Sequence, residues 1–350
     1  MDYRRLGRTD LTVSSLCLGT MTFGEQNTER EGHAQMDLAF EFGVNFLDTA
    51  ELYPVPPNRH TQGRTERIIG NWMKQRGNRE SVVLATKVVG RTDMDWFRKD
   101  GSKGRLTRAQ IEEAVDASLK NLQTDYIDLY QIHWADREIS GFGSNPTRWS
   151  HVPPAEDENS IESTLEVMAD LVKAGKIRHV GLSNESSWGT MTYVAAAEAK
   201  DLPRPVSIQN AYSLINRTFE VNLAEVAHRE NVGLLAYSPL AQGYLTGKYM
   251  NGALPRGARK TLFNRLQRYQ KPGSERAVSD YVGLAGEAGL DPAQMALAFA
   301  RSRSFMTSVI IGATHMDQLE TNLASANVTL SEDVLQKIDA IHQLRGNPAP

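Results

Sequence analysis

Eight short apolar runs recur along the 350 residues, separated by stretches with helical periodicity. The runs are SSLCLG (14–19), NFLDTA (45–50), VVLATKV (82–88), YIDLYQIH (126–133), HVGLSN (179–184), VSIQN (206–210), GLLAYS (233–238) and TSVIIG (307–312). Runs that are apolar at successive positions, rather than at every second one, read as strands buried on both faces. That pattern indicates a parallel sheet covered by helices. The clearest helical signal spans 107–122, where Ile111, Val115, Leu119 and Leu122 share a face and Thr107 with Gln110 has capping-box spacing. Asp291-Pro292-Ala293-Gln294 opens another helix, with an N-cap acid, proline at the first helical position and Gln at the third.

Length and a 40% hydrophobic content allow either two domains or one α/β barrel. Connection lengths favour the barrel. Links from helix to strand are short (FGVN, LQTD, AGKIR, ENVG), whereas the long irregular stretches 90–105, 135–160 and 239–274 all follow strands. In a barrel the loops after strands emerge on one face, so insertions there build a site without disturbing the core. The expected fold is one (β/α)8 TIM barrel over residues 1–350, with an N-terminal β-hairpin at about 1–13 and long post-strand loops. A helix at 331–344, with Val334, Ile338 and Ile341 on one face, and the tail 345–350 are expected to be peripheral.

The same face receives a chemically matched set. Asp48 and Tyr53 lie in FLDTAELY, Lys87 near the end of VVLATKV, and His133 closes YIDLYQIH. On neighbouring parallel strands these side chains converge on one pocket, suited to protonating a carbonyl oxygen while another group delivers a hydride. An adjacent cation eases proton loss from a phenol with an ordinary pKa of about 10, and Asp48 would hold Lys87 charged and placed. A lone His at a strand end is commonly structural, and Asp48, Tyr53 and Lys87 could each be satisfied polar residues. Their common placement makes the case.

A formal charge of −3 gives no general attraction to nucleic acid or anionic membrane, and Cys17 alone permits neither an intrachain disulfide nor a cysteine metal site. The eight His show no HExxH-like spacing, so no metal is expected. With no long apolar run and no hydrophobic stretch in MDYRRLGRTD, a soluble cytoplasmic protein is the default expectation. The oligomeric state is not legible. Gly141-Phe142-Gly143-Ser144-Asn145-Pro146 starts like a dinucleotide fingerprint but has Pro for the third Gly, and the segment 243–248 is one residue short of a phosphate loop. A better anion signal is the stretch 231–274, which lacks Asp and Glu yet holds Lys248, Arg256, Arg259, Lys260, Arg265, Arg268 and Lys271. A solvated basic loop would look the same. Its place after the seventh strand, with Gly312-Ala313-Thr314-His315-Met316 leading into a helix after the eighth, favours a phosphate site.

With LCLGTMTFG, NFLDTAELY, ATKV, TDYIDLYQIHW, GLSN, SIQNAYSLINR, LLAYSPLAQGYLTGKY and IIGATHMDQLETNL in order, the chain resembles the aldo-keto reductase superfamily along essentially its whole length. It is most similar to the Tas-type bacterial members, through GTMTFGEQN and the stretch from YPVPP to GNW, and more distantly to the β subunits of voltage-gated potassium channels. The resemblance implies NADPH-dependent reduction of a small-molecule aldehyde or ketone, with Tyr53 as proton donor, Lys87 and Asp48 tuning it, and His133 orienting the carbonyl. It also allows a cofactor-binding sensor or regulatory subunit. Gly19, Thr20, Met21 and Asp48 are implied at the cofactor, Ser183, Asn184 and Gln209 at the carboxamide, and Tyr237 stacked on the nicotinamide. Ser238, Leu240, Gly243, Lys248 and Arg265 match the pyrophosphate side, and Gly312, Thr314, Gln318 and Asn322 the adenosine end. Thr321 stands where related sequences often carry a Glu contacting adenine, so nicotinamide binding is implied more firmly than a choice between NADPH and NADH. Among post-strand aromatics, Phe23, Trp96, Trp134, Trp149 and Tyr212 are candidate walls of the substrate pocket, although loop packing would account for each.

Overall fold

The computed structural model describes residues 1–139 and 152–350. Strands β1 (Tyr3–Arg5) and β2 (Thr12–Ser14) form an antiparallel hairpin. The strands β3 (Leu16–Gly19), β4 (Phe46–Asp48), β5 (Val83–Val88), β6 (Ile127–Ile132), β7 (Ile177–Ser183), β8 (Pro205–Ala211), β9 (Gly233–Tyr237) and β10 (Met306–Ile311) follow one another round a closed parallel barrel, β10 pairing with β3. Around it, among the described residues, run α1 (Glu29–Glu41), α2 (Arg64–Arg76), α3 (Arg108–Leu122), α4 (Ile161–Lys173), α5 (Ser187–Lys200), α6 (Leu223–Glu230), α7 (Arg259–Phe263), α8 (Ser274–Glu287), α9 (Pro292–Arg301), α10 (Met316–Ala324) and α11 (Glu332–Arg345). None of these helices is long and apolar enough to cross a membrane.

Every residue of β4, β5, β6 and β10 is buried, which is why these strands read as continuous apolar runs. The faces still alternate. Cys17, Phe46, Ala85, Leu129 and Leu235 meet in one cluster inside the barrel, whereas Leu16, Leu18, Leu84, Tyr130 and Leu234 belong to the larger core under the helices. Leu6 and Val13 of the hairpin join the inner cluster and close the barrel floor. Gly7 lets the hairpin turn there: its φ is +58° and a Cβ would lie 2.5 Å from the Val206 carbonyl.

Two residues further along β4, β5 and β6 the inward positions turn polar, at Asp48, Lys87 and Gln131. Gly19 is in register with Asp48, Lys87 with Gln131, and Ser183 with Gln209. An apolar floor thus carries a polar layer at the mouth that the long loops surround.

Thr107 caps α3 through the Gln110 amide, but only half of the expected capping box forms. The Gln110 carboxamide is turned instead to the post-β5 loop, accepting from the Arg105 amide at 2.7 Å and donating to the Lys103 carbonyl at 3.0 Å. Asp291 caps α9 as its sequence indicates. The C-terminal helix lies on the outside of the barrel with Val334 and Ile338 buried on one face, and the tail after it is tied down. Ile338 and Ala349 are fully buried, Asn347 accepts from the Arg217 amide at 2.5 Å, and Ala349 donates to the Ile215 carbonyl at 3.2 Å. The tail is held by one side-chain oxygen, that of Asn347, and by backbone groups, neither of which an apolar pattern reveals.

Because Leu6 plugs the floor far from the mouth, Leu6→Ala is expected to lower unfolding free energy by about 2–5 kcal/mol through the cavity it leaves. Denaturant titration and steady-state kinetics check this together. A fall in turnover with unchanged stability would contradict the separation of floor from site.

Candidate active site

Lys87 points up from the inner face of β5 and is fully buried. Its Nζ donates to Asp48 Oδ2 and to the Thr49 carbonyl, both at 2.7 Å. Asp48 Oδ1 accepts from Gln209 Nε2 at 2.8 Å and Gln131 Nε2 at 3.2 Å, and Gln209 Nε2 also donates to Gln131 Oε1 at 3.1 Å. Burial opposes the ammonium, but the charge and hydrogen bond of Asp48 outweigh it, and the Lys87 pKa lies above its ordinary value. The lysine is charged where water is excluded.

Tyr53 stands over this cation, with Nζ 5.1 Å from the ring centroid. The His133 ring meets Tyr53 edge-on, 6.0 Å between centroids at 84°. Burial pushes the Tyr53 pKa up; the Lys87 charge pulls it down without reversing the shift. The cation expected to make this phenol more acidic is therefore outweighed by burial, and Tyr53 is in its protonated, donating form at neutral pH. His133 is 5% exposed, and burial followed by the Lys87 charge holds its imidazole well below the usual pKa. It is neutral, and its carbonyl accepts from Asn184 Nδ2 at 2.9 Å.

These groups open into a cleft of about 1100 Å³ running from Tyr53 and His133 across the barrel mouth to α10. Its wall includes every residue implied at the cofactor: Gly19, Thr20, Met21 and Asp48, then Ser183, Asn184 and Gln209, then Tyr237, Ser238, Leu240, Gly243, Lys248 and Arg265, and finally Gly312, Thr314, Gln318 and Asn322. Asn184, at φ +51°, accepts from the Tyr237 hydroxyl at 2.6 Å, fixing that ring at the wall. Arg268 Nη1 donates to the same hydroxyl at 3.1 Å. The turn carrying Ser238, Ala241, Gln242 and Gly243 at positive φ brings backbone close to the cleft, and a Cβ on Gly243 would lie 2.7 Å from Lys248 Nζ.

Of the cations on this wall, the carboxylate-free segment supplies Lys248, Arg259, Arg265 and Arg268. None of the four forms an ion pair among the described residues. Burial, then the neighbouring cation, lowers the pKa of both Lys248 and Arg259. Gathered, partly buried cations without carboxylates are the donor set that a ligand with phosphates would satisfy. The cleft therefore fits a dinucleotide by volume, by amide groups at one end and by charge along its middle.

The substrate-wall candidates divide. Trp134 lines the cleft beside His133, its Nε1 donating to the Arg91 carbonyl at 2.8 Å. Phe23 and Tyr212 do not line it, being fully buried in the core. The first lies against α1 at Gly32, the second between Phe299 and Phe305 with its hydroxyl on Glu220. Trp96 stacks on Phe97 with Arg59 over it and is absent from the wall. Trp149 and the rejected glycine motif at 141–146 lie outside the described residues. Leu52, Val55, Pro57, Met94 and Ile139 supply apolar wall instead. Gln131, which ties Asp48 to Gln209, escaped the sequence reading although its period-two spacing from Leu129 and His133 aims it inward. Arg259 and Arg268 were visible only as members of a basic stretch, since composition does not say which cations face inward.

The chain matches the model of the Aldo/keto reductase family over residues 15–343. It is 52% identical to Protein tas of Escherichia coli over the full length of both chains. It is 34% identical to the uncharacterized oxidoreductase YrpG of Bacillus subtilis, over all of this chain and 98% of that one. A probable voltage-gated potassium channel subunit beta of Arabidopsis thaliana is 32% identical over 98% of this chain and 97% of its own.

The neutral His133 makes a linkage prediction. Its pKa is depressed in the fold, so below about pH 6.5 the unfolded chain takes up a proton that the folded one refuses, and stability falls as pH drops. His133→Asn should flatten the change in unfolding free energy between pH 7.5 and 5.5 by up to about 1.4 kcal/mol per pH unit. Identical slopes in both proteins would show that the imidazole titrates normally.

Proposed function

Because this chain belongs to the aldo/keto reductase family and is an oxidoreductase, we propose that it reduces aldehydes or ketones to alcohols with NADPH as reductant. The observation that carries the reading is the meeting of Tyr53, His133 and the Asp48-held Lys87 at one end of a cleft that fits a dinucleotide.

When bound, the dinucleotide would supply the hydride for the carbonyl carbon. Everything else falls to the protein. Tyr53 Oη gives its proton to the carbonyl oxygen, and the Lys87 ammonium stabilises the phenolate left behind. His133, neutral and hydrogen-bonding, holds the same oxygen from a second side. Gln209 already donates from its Nε2 to Asp48 and to Gln131, so its Oε1 is the atom left to receive a carboxamide N–H. Ser183 and Asn184 flank it, and the Tyr237 ring forms the platform beneath. Lys248, Arg259 and Arg265, which line the cleft, would meet phosphate charge, and Gly312, Thr314, Gln318 and Asn322 would hold the adenosine end. A small carbonyl compound then sits among Leu52, Val55, Met94 and Trp134, with Tyr53 and His133 at its oxygen.

The name of the plant relative raises a second reading, a nucleotide-sensing regulatory subunit with slow turnover. Titration with NADPH and NADH, followed by single-turnover oxidation against a panel of aldehydes, separates the two. Fast oxidation supports the reductase, whereas tight binding with negligible rates across the panel supports the sensor. Within the reductase reading, Tyr53→Phe should lower kcat by about 100-fold or more while NADPH affinity changes by less than about threefold. Turnover at the wild-type rate in that variant would remove Tyr53 from proton donation.

A further inference from the structure

Beneath the reactive face lies a second buried ion pair that the chemistry above does not use. Glu51 is 2% exposed and Arg98 4%. Arg98 Nη1 donates to Glu51 Oε2 at 2.8 Å and Nη2 to Oε1 at 3.1 Å, and the Val89 amide donates to the same Oε1 at 2.7 Å. A two-pronged contact of this kind fixes orientation as well as distance. Neither side chain belongs to the cleft wall.

The pair joins two segments that frame the phenol. Glu51 lies two residues before Tyr53, and its backbone is held too: its amide donates to the Lys87 carbonyl at 3.2 Å and its carbonyl accepts from Gln62 Nε2 at 3.1 Å. Arg98 belongs to the loop after β5 and reaches Gln110 of α3 through Nε at 3.3 Å. Its neighbour Phe97 forms, with Ala50, Leu52 and Val89, the apolar cluster against which the Tyr53 ring packs. Tyr53 is thus bounded by the Lys87 cation on one side and by this cluster on the other. A buried pair adds little stability over apolar residues of similar volume, so its presence calls for a geometric role.

We propose that Glu51 and Arg98 are positioning residues for proton donation, locking the loops after β4 and β5 so that the Tyr53 phenol stands at the depth where its hydroxyl meets the Lys87 cation. The proposal rests on Tyr53 as donor. A phenol released from this bracket keeps its chemistry but loses its place, and a misplacement near 1 Å lowers the rate by up to about 100-fold.

The test compares the double variant Glu51→Gln/Arg98→Met, which removes both charges at similar volume, with Arg98→Lys and Tyr53→Phe. Thermal unfolding, NADPH affinity by fluorescence, and the single-turnover oxidation of bound NADPH by saturating benzaldehyde are measured for each. The double variant is expected to fold and to bind NADPH within about threefold of the parent, with its single-turnover rate down about 10- to 100-fold. Arg98→Lys, keeping the charge but not the fork, should fall between. A purely structural pair would change the melting temperature and leave that rate within about twofold of wild type, which overturns the proposal. If the double variant does not fold, Arg98→Lys decides by the same criterion. An active Tyr53→Phe would instead overturn the donor assignment itself, whereas an inactive Tyr53→Phe beside undiminished pair variants rejects the bracket alone.

Discussion

A fully buried ammonium has to be compensated, and the centre of this molecule is arranged around doing so for Lys87. Its partners are the Asp48 carboxylate and the Thr49 carbonyl, and Asp48 is in turn shared with Gln131 and Gln209. Removing one member leaves others unsatisfied in a low-dielectric interior, so the set acts as a unit. The barrel provides the placement. Register brings Gly19 beside Asp48, Lys87 beside Gln131 and Ser183 beside Gln209, one step above the apolar floor closed by Leu6 and Val13. From this layer follow the charge on the lysine, the protonated phenol above it and the neutral imidazole at its side.

The cleft is electrically asymmetric. Toward β9 and β10 its cations, Lys248, Arg259, Arg265 and Arg268, form no ion pairs among the described residues. At the opposite rim the guanidinium groups are matched: Arg91 and Arg105 share Asp157 at 2.8 and 3.1 Å, holding that carboxyl down at about 2, and Arg137 pairs with Glu185. One end therefore invites negative charge while the other is internally neutralised around apolar wall residues.

Much of this was legible before any coordinates. Strands in a closed parallel barrel are buried on both faces and all end on one rim, so short apolar runs and long post-strand loops located the mouth, and Asp48, Tyr53, Lys87 and His133 stood at run ends. Loop aromatics were not legible in the same way. Phe23 and Trp134 both follow strand ends, yet the Phe23 ring packs under α1 and α2 while Trp134 stays at the mouth. Gln131 was hidden because a run buried on both faces masks the period-two alternation that aims its amide inward, and the tail because Ala349 docks through its backbone. Gln110 shows the converse: correct cap spacing, with its carboxamide recruited by a tertiary contact instead.

The account stands or falls on where a carbonyl oxygen comes to rest. A crystal structure of the protein with NADP+ and an unreactive carboxamide analogue of an aldehyde substrate would show this directly. The predicted result is the amide oxygen within hydrogen-bond reach, about 2.6–3.2 Å, of both Tyr53 Oη and the His133 imidazole. An analogue seated in the cleft with its oxygen remote from Tyr53 would contradict it.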